Sequence, residues 1–231
     1  MRPTADPTLT SPPPPPSAPA SPSGTARAVE RSLAGRRRRY ADEVDRLVAA
    51  AFAAMRERDT IDPTVGEILA GAGLSTTAFY RHFPNTDDLL LTLLENAGAT
   101  TRSYLDHLLE READPVRRIE AWVRGMFDLV RSDELVAANR PVLLAHARLV
   151  ERFPAEIARN TASLVAPLAE AIADARARRG QPAGNPPVDA RLTHRLVYGV
   201  IGDLAAERRT PKPAEVDAVA SYTTRALLDR P

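Results

Sequence analysis

Cysteine is absent from this 231-residue chain, which excludes disulfide frameworks, thiolate nucleophiles and cysteine-based zinc sites at once. Lysine occurs once, at Lys212, so basic chemistry rests almost wholly on arginine. No apolar run reaches the roughly 18 residues that a membrane span needs. Prolines fill the place where a secretory leader would carry its apolar segment. A cytoplasmic protein with no membrane partner is expected. The four histidines, His82, His107, His146 and His194, lack HExxH-type spacing, and neither GxGxxG nor GKS/T occurs. With no nucleophile–base set either, the chain reads as a non-enzyme with no metal and no cofactor. Sustained alternation of β-branched residues is missing too, and there is no internal repeat. The fold class expected is all-α.

What is present is unevenly spread. Lys and Arg number 31 against 30 Asp and Glu, so the whole chain has no bias towards nucleic acid. Residues 1–40, however, carry Arg2, Arg27, Arg31 and the run Arg36, Arg37, Arg38, Arg39 against only Asp6 and Glu30. Nine of the 21 prolines fall within residues 1–22. Such a segment buries too little to offset the entropy of ordering, so residues 1–35 read as a disordered, proline-rich tail. Order is expected to begin near Arg39. Val44, Leu47, Val48, Ala51, Phe52 and Met55 then mark one buried stripe of a helix.

The informative stretch is Thr64–Leu94, TVGEILAGAGLSTTAFYRHFPNTDDLLLTLL. Thr64 with Glu67 three residues on is a capping box, so a short helix starts at Val65 and buries Val65, Ile68 and Leu69. Gly73 suits the left-handed turn that ends it. Ser75 caps a second short helix whose Phe79 and Phe83 face inward, and Pro84 stops that helix. Asn85 caps the next, with Asp87 and Asp88 at its positive end. Two short helices on a glycine turn, attached to a longer preceding one, make a helix-turn-helix. Its second helix presents Thr76, Thr77, Tyr80 and Arg81 outward, with His82 beside them. Hydroxyls and a guanidinium fork suit base edges in the major groove, and a phenol or imidazole can donate to phosphate.

This order of parts, and above all AGLSTTAFYRHFPNTDDLL, resembles the DNA-binding domain of the TetR (tetracycline repressor-like) family. The resemblance covers about residues 40–95 by motif and the remainder by helix count and length alone. It implies about nine helices. A helix-turn-helix domain would occupy residues 36–86, and a helical ligand-binding and dimerisation domain residues 87–231. It also implies base reading by Thr76, Thr77 and Arg81 and phosphate contacts from Tyr80 and His82. Gly66, Ala78 and Thr86 depart from the family's pattern, standing where a basic or hydroxyl residue often contacts the backbone. Residues 41–95 hold four arginines against ten acids, which is poor for non-specific attraction. Arg36, Arg37, Arg38 and Arg39 are therefore expected to supply phosphate or minor-groove contacts. The expected DNA-contacting set is completed by Thr64, Ser75 and Thr86.

Further helices are expected at about 87–110, 114–131, 134–150, 154–179, 189–208 and 213–228, with a Gly/Pro loop at 180–187 and Arg176, Arg178 and Arg179 complementing a helix dipole. Leu192, Leu196, Gly199, Val200 and Leu204 form one stripe, and Val216, Val219, Thr223 and Leu227 another. The resemblance places a homodimer interface there; completion of the monomer's own core is the alternative. It also places a small-molecule pocket among the middle helices. Tyr104, Trp122, Met126, Phe127, Leu143 and His146 are the large or soft residues there, and they imply an apolar or amphipathic effector. The function implied is a repressor that binds a palindromic operator in double-stranded DNA and releases it when the effector binds. The lever would be the helix starting at Asp87. A ligand-independent regulator of the same fold, acting through a protein partner, is the alternative; a cavity among the middle helices separates the two.

Overall fold

The computed structural model describes residues 24–229, which divide into two units at the step from Ala41 to Asp42. Helix α1, Gly24–Arg58, starts well before the expected point near Arg39. The reason is compositional. The N-terminal proline cluster ends at Pro22, and the residues that follow are mostly good helix formers such as Ala, Arg and Glu. The expected tail at 1–35 is therefore helical from Gly24 onward, and its remainder at 1–23 lies outside the described residues. In the first unit, residues 31–40 are exposed throughout.

In the second unit the rest of α1 is followed by α2 (Val65–Ala72) and α3 (Thr76–His82). Then come α4 (Thr86–Glu110), α5 (Pro115–Phe127), a short 3-10 turn (Asp128–Val130) and α6 (Asp133–Arg152). The chain closes with α7 (Pro154–Arg178), α8 (Pro186–Ala206) and α9 (Pro213–Leu228). The described residues are all-α, as the patterning predicts, and no helix among them is long and apolar enough to cross a membrane. Helix α8 starts earlier than expected because Asn185 caps it and two prolines occupy its first turn, where a missing N–H costs nothing.

Two apolar cores form. Leu47, Ala51 and Met55 of α1 pack with Ile68, Phe79, Phe83 and the α4 residues Leu89, Leu90, Leu93 and Leu94. Ala145, Leu149 and Ile157, from α6 and α7, complete that cluster. The second core holds Leu105 and Leu109 of α4 with the inward faces of α5 and α7–α9. Helix α4 thus belongs to the reader at one end and to the second core at the other, so position 86 is not where the packing divides.

Electrostatics tie the same parts together. Arg148 of α6 reaches Asp87 at 2.6 Å and Asp62 at 3.3 Å, and Arg152 reaches Asp87 at 3.1 Å. Arg140 and Arg208 both pair with Asp59. Asp59, Asp62 and Asp87, three of the ten acids of residues 41–95, are therefore directed at arginines from later in the chain. A different arginine anchors the far corner. Arg176, expected only to complement a dipole, is buried; it pairs with Asp189 at 2.8 Å and donates to the Leu227 and Ala183 carbonyls. It joins the end of α7 to the starts and ends of its neighbours, so its charge is structural.

Candidate nucleic-acid interface and effector cavity

The reader is assembled by caps and one left-handed glycine. Thr64 Oγ1 accepts from the Glu67 amide while Glu67 returns a bond to the Thr64 amide, the capping box read from the sequence. Gly73 is left-handed at φ 61°, and its amide donates to the Leu69 carbonyl at 2.9 Å. Arg46 of α1 donates to the Ala72 and Gly73 carbonyls, holding the end of α2 from outside. That role was not legible in the sequence, where Arg46 sits on the polar face of an ordinary amphipathic helix. Ser75 Oγ accepts from the Ala78 amide at 3.2 Å to start α3. A capping hydroxyl that accepts still has its proton to donate, so Thr64 and Ser75 can each donate one further bond.

On α3, Thr76, Thr77, Tyr80 and Arg81 are exposed while Ala78, Phe79 and Phe83 are buried. Burial of Ala78 means that its lack of a hydroxyl removes nothing from the surface. Tyr80 stands edge-on to Phe79, with ring centroids 5.2 Å apart, and is 57% exposed. His82 departs from expectation. It follows buried Phe79 by three residues and so shares its inward face. Its ring is shielded from solvent, and Nε2 lies 2.6 Å from Glu43 Oε2 of α1. Arg81 pairs with the same carboxylate oxygen. The His82 bond, with Arg81 second, holds the Glu43 carboxyl below the usual range. His82 is thus a brace between α3 and α1, and Arg81 is held by an anion that a phosphate could replace. Thr86 opens α4, half-buried, behind its Asn85 cap. Arg36, Arg37, Arg38 and Arg39 are exposed turns of helix α1 and not an extended arm.

A cavity of about 80 Å³ lies among the later helices. Of the six residues expected to line it, Met126, Leu143 and His146 do. The other three are corrections. Trp122 is fully buried in the second core, its indole N–H facing the Leu164 carbonyl at 3.4 Å. Phe127 is 2% exposed in the same core. Tyr104 is turned to the solvent edge, where its hydroxyl donates to Asp128 at 2.6 Å and that bond pushes its own ionisation up. Size and softness do not distinguish wall from filling.

The polar wall comes mostly from residues the sequence did not single out. Asn139 and Asn160 reach it from α6 and α7, Thr101 from α4, and His194 and Tyr198 from α8. His194 and Tyr198 stack at 5.3 Å, one helical turn apart, and His146 lies 4.8 Å from Tyr198. Burial, with His146 and Arg195 nearby, lowers the His194 imidazole to about 4; burial alone lowers His146 and raises the Tyr198 phenol. His194 Nδ1 is buried with no protein hydrogen-bond partner, a state that costs roughly 1–3 kcal/mol. The signal was a His and a Tyr at i, i+4 on one helix. It was hidden because the neighbouring Leu192–Leu196 stripe dominates the same stretch.

That stripe divides. Leu192, Leu196 and Gly199 are exposed and Val200 is half-exposed, whereas Leu204 is 2% exposed and belongs to the second core. Steps of four residues overshoot a helical turn by about 40°, so three steps carry the row from solvent into the interior. On α9, Thr223 and Leu227 are likewise buried, and Val216 and Val219 pack partly against the core. Leu204, Thr223 and Leu227 serve the monomer, while Tyr222, not named from the sequence, is 59% exposed.

These features define a helix-turn-helix protein with an attached helical domain. Residues 47–93 match the family model described as bacterial regulatory proteins, tetR family. The chain shares its fold with a TetR-family transcriptional regulator from Pectobacterium atrosepticum (TM-score 0.58, 21% identity, 84% of this chain and 98% of that one). It is similar also to FadR from Bacillus subtilis, solved with stearoyl-CoA (TM-score 0.56, 15% identity, 79% and 96%). RolR, solved with resorcinol, matches at TM-score 0.53 and 20% identity over 82% and 89%. The helix-turn-helix segment thus matches the tetR family model, and the chain shares the fold of solved TetR-family transcriptional regulators.

Proposed function

We propose that the chain is a repressor that binds a palindromic operator as a homodimer and is released by a small molecule. The observation that carries this reading is the outward face of α3, where Thr76, Thr77, Tyr80 and Arg81 stand exposed at the spacing of one helical face. Arg81 exchanges Glu43 for a base edge or phosphate on binding, and Thr64, Ser75, Thr86 and the exposed Arg36–Arg39 add backbone contacts. Leu192, Leu196, Gly199 and Val200 of α8, with Tyr222 of α9, supply an apolar surface for a second copy. Two half-sites engaged together compensate for a small reader.

Release needs a ligand that prefers the state unable to span both half-sites. The cavity touches Leu94, Ala97 and Gly98 of α4, just behind the reader's core, and Leu143 and His146 of α6, beside the Arg148 link to Asp87. A ligand that displaces either helix alters the seat of α2 and α3. A cavity of this kind favours a sensor over the ligand-independent alternative, which has no use for one. Selection of bound duplexes from a random library, followed by anisotropy titration at two salt concentrations, tests the reading. A palindrome with half-sites about one helical turn apart is expected. Absence of any enriched site overturns it.

A further inference from the structure

Resting on the reading of the cavity as an effector site, we propose that its ligand is a small uncharged molecule of about one planar ring, carrying a hydroxyl that hydrogen-bonds His194. Size argues first. A cavity of about 80 Å³ is well below the roughly 300–1,000 Å³ that drug-sized ligands occupy. Long acyl chains and nucleotides do not fit without large rearrangement.

Charge argues second. Thr101, Asn139, His146, Asn160, Thr161, His194 and Tyr198 supply the polar wall, and no carboxylate, guanidinium or ammonium among the described residues lines the cavity. Both imidazoles are neutral near pH 7, since burial lowers them, His194 to about 4. An ionised ligand would lose its hydration with no counter-charge to meet it. Two of the polar side chains are already engaged, Asn139 with the Leu129 carbonyl and Asn160 with that of Leu94.

Shape and hydrogen bonding select within the neutral class. The rings of His146, Tyr198 and His194 lie 4.8 and 5.3 Å apart in sequence, a contiguous aromatic wall that offers flat contact area. His194 is 6% exposed, and its Nδ1 has no hydrogen-bond partner among the described residues. A neutral imidazole offers one donor and one acceptor, and a hydroxyl complements either. A phenol-like molecule meets all four requirements.

The protein carries its own reporter. Trp122 is the single tryptophan, its ring is 6.3 Å from His194, and its indole faces Leu164, which lines the cavity. The full chain is titrated with phenol, resorcinol, benzoate and octanoate while tryptophan emission is followed, and operator release is read in parallel by anisotropy. Saturable binding of phenol or resorcinol at least about tenfold tighter than benzoate is expected, weakened about tenfold by His194→Phe. His194→Gln, which retains an amide partner, is expected to recover part of the loss. Tighter binding of benzoate or octanoate overturns the ligand class and leaves a sensor standing. An emission unmoved by all four overturns this proposal, while a ring compound that binds without moving operator affinity supports the site and overturns its coupling to DNA.

Discussion

The reader's outward quartet comes from one seven-residue helix and stands in solvent, while the cavity draws its wall from α4 to α8. In the reader, neighbours in sequence are neighbours in function, because Thr76, Thr77, Tyr80 and Arg81 share a face by helical period alone. In the cavity, His146 and Tyr198 lie in ring contact although 52 positions separate them in the sequence. The cavity depends on how α8 is held, and α8 is held at its start by Arg176.

Substitutions can break that contrast. The largest effect is expected for Arg176→Ala, which removes the guanidinium from a buried pair with Asp189 and from two carbonyls. Losing one partner of such a pair costs about 3–5 kcal/mol, read as a lower urea midpoint with the operator-contacting residues untouched. A loss below about 1 kcal/mol would mean that packing alone holds the corner.

Next comes the acid response of His194. Its imidazole falls from an ordinary 6.5 to about 4 in the folded chain, so between those values the unfolded chain binds the extra proton. Stability is therefore full above about pH 6.5, declines as the pH falls towards 4, and then levels, a change on the order of 3 kcal/mol. Urea melts at pH 7, 6 and 5 should show this slope in the wild type and lose it in His194→Phe. Equal slopes would place the acid sensitivity elsewhere.

In the reader, Arg81→Ala should weaken the selected operator by roughly 1–3 kcal/mol if Arg81 reads a base, and should relax preference at one position of each half-site. A uniform loss across all sequences, with a smaller salt slope, would make it a phosphate contact instead. The smallest effect is expected for Glu43→Gln. With the carboxylate gone, the phosphates no longer compete with it for Arg81, so operator affinity should rise a few-fold at low salt. A fall in affinity would show that Glu43 matters more as the brace of His82 and Arg81 than as a rival of DNA.

The site was unevenly readable for physical reasons. Caps, turns and helix faces are local. Thr64–Glu67, Gly73, Ser75 and the inward Phe79 and Phe83 followed from spacing, as did the exposed quartet on α3. His82 was misplaced because one helical face grades into the next, and only the nearby Glu43 showed which side it serves. The size of Tyr104, Trp122 and Phe127 marks them as buried or half-buried without saying against what. On α8 a four-residue row drifts from exposed Leu192 to buried Leu204, and on α9 an apolar face at 216–227 does not say whether it meets a second copy or the monomer's own core.

By itself, then, the amino-acid order determined the helical class, the helix-turn-helix and the face it shows to solvent, since each depends on hydrogen bonds and periodicities spanning a few residues. Only the tertiary structure decided that Arg46 holds the turn, that Glu43 engages Arg81 and His82, and that Arg176 is buried. It also decided that Asn139, His146, Asn160, His194 and Tyr198 share one cavity. Those outcomes depend on which helices pack together, and burial in a core selects neighbours by shape and volume that no local pattern encodes.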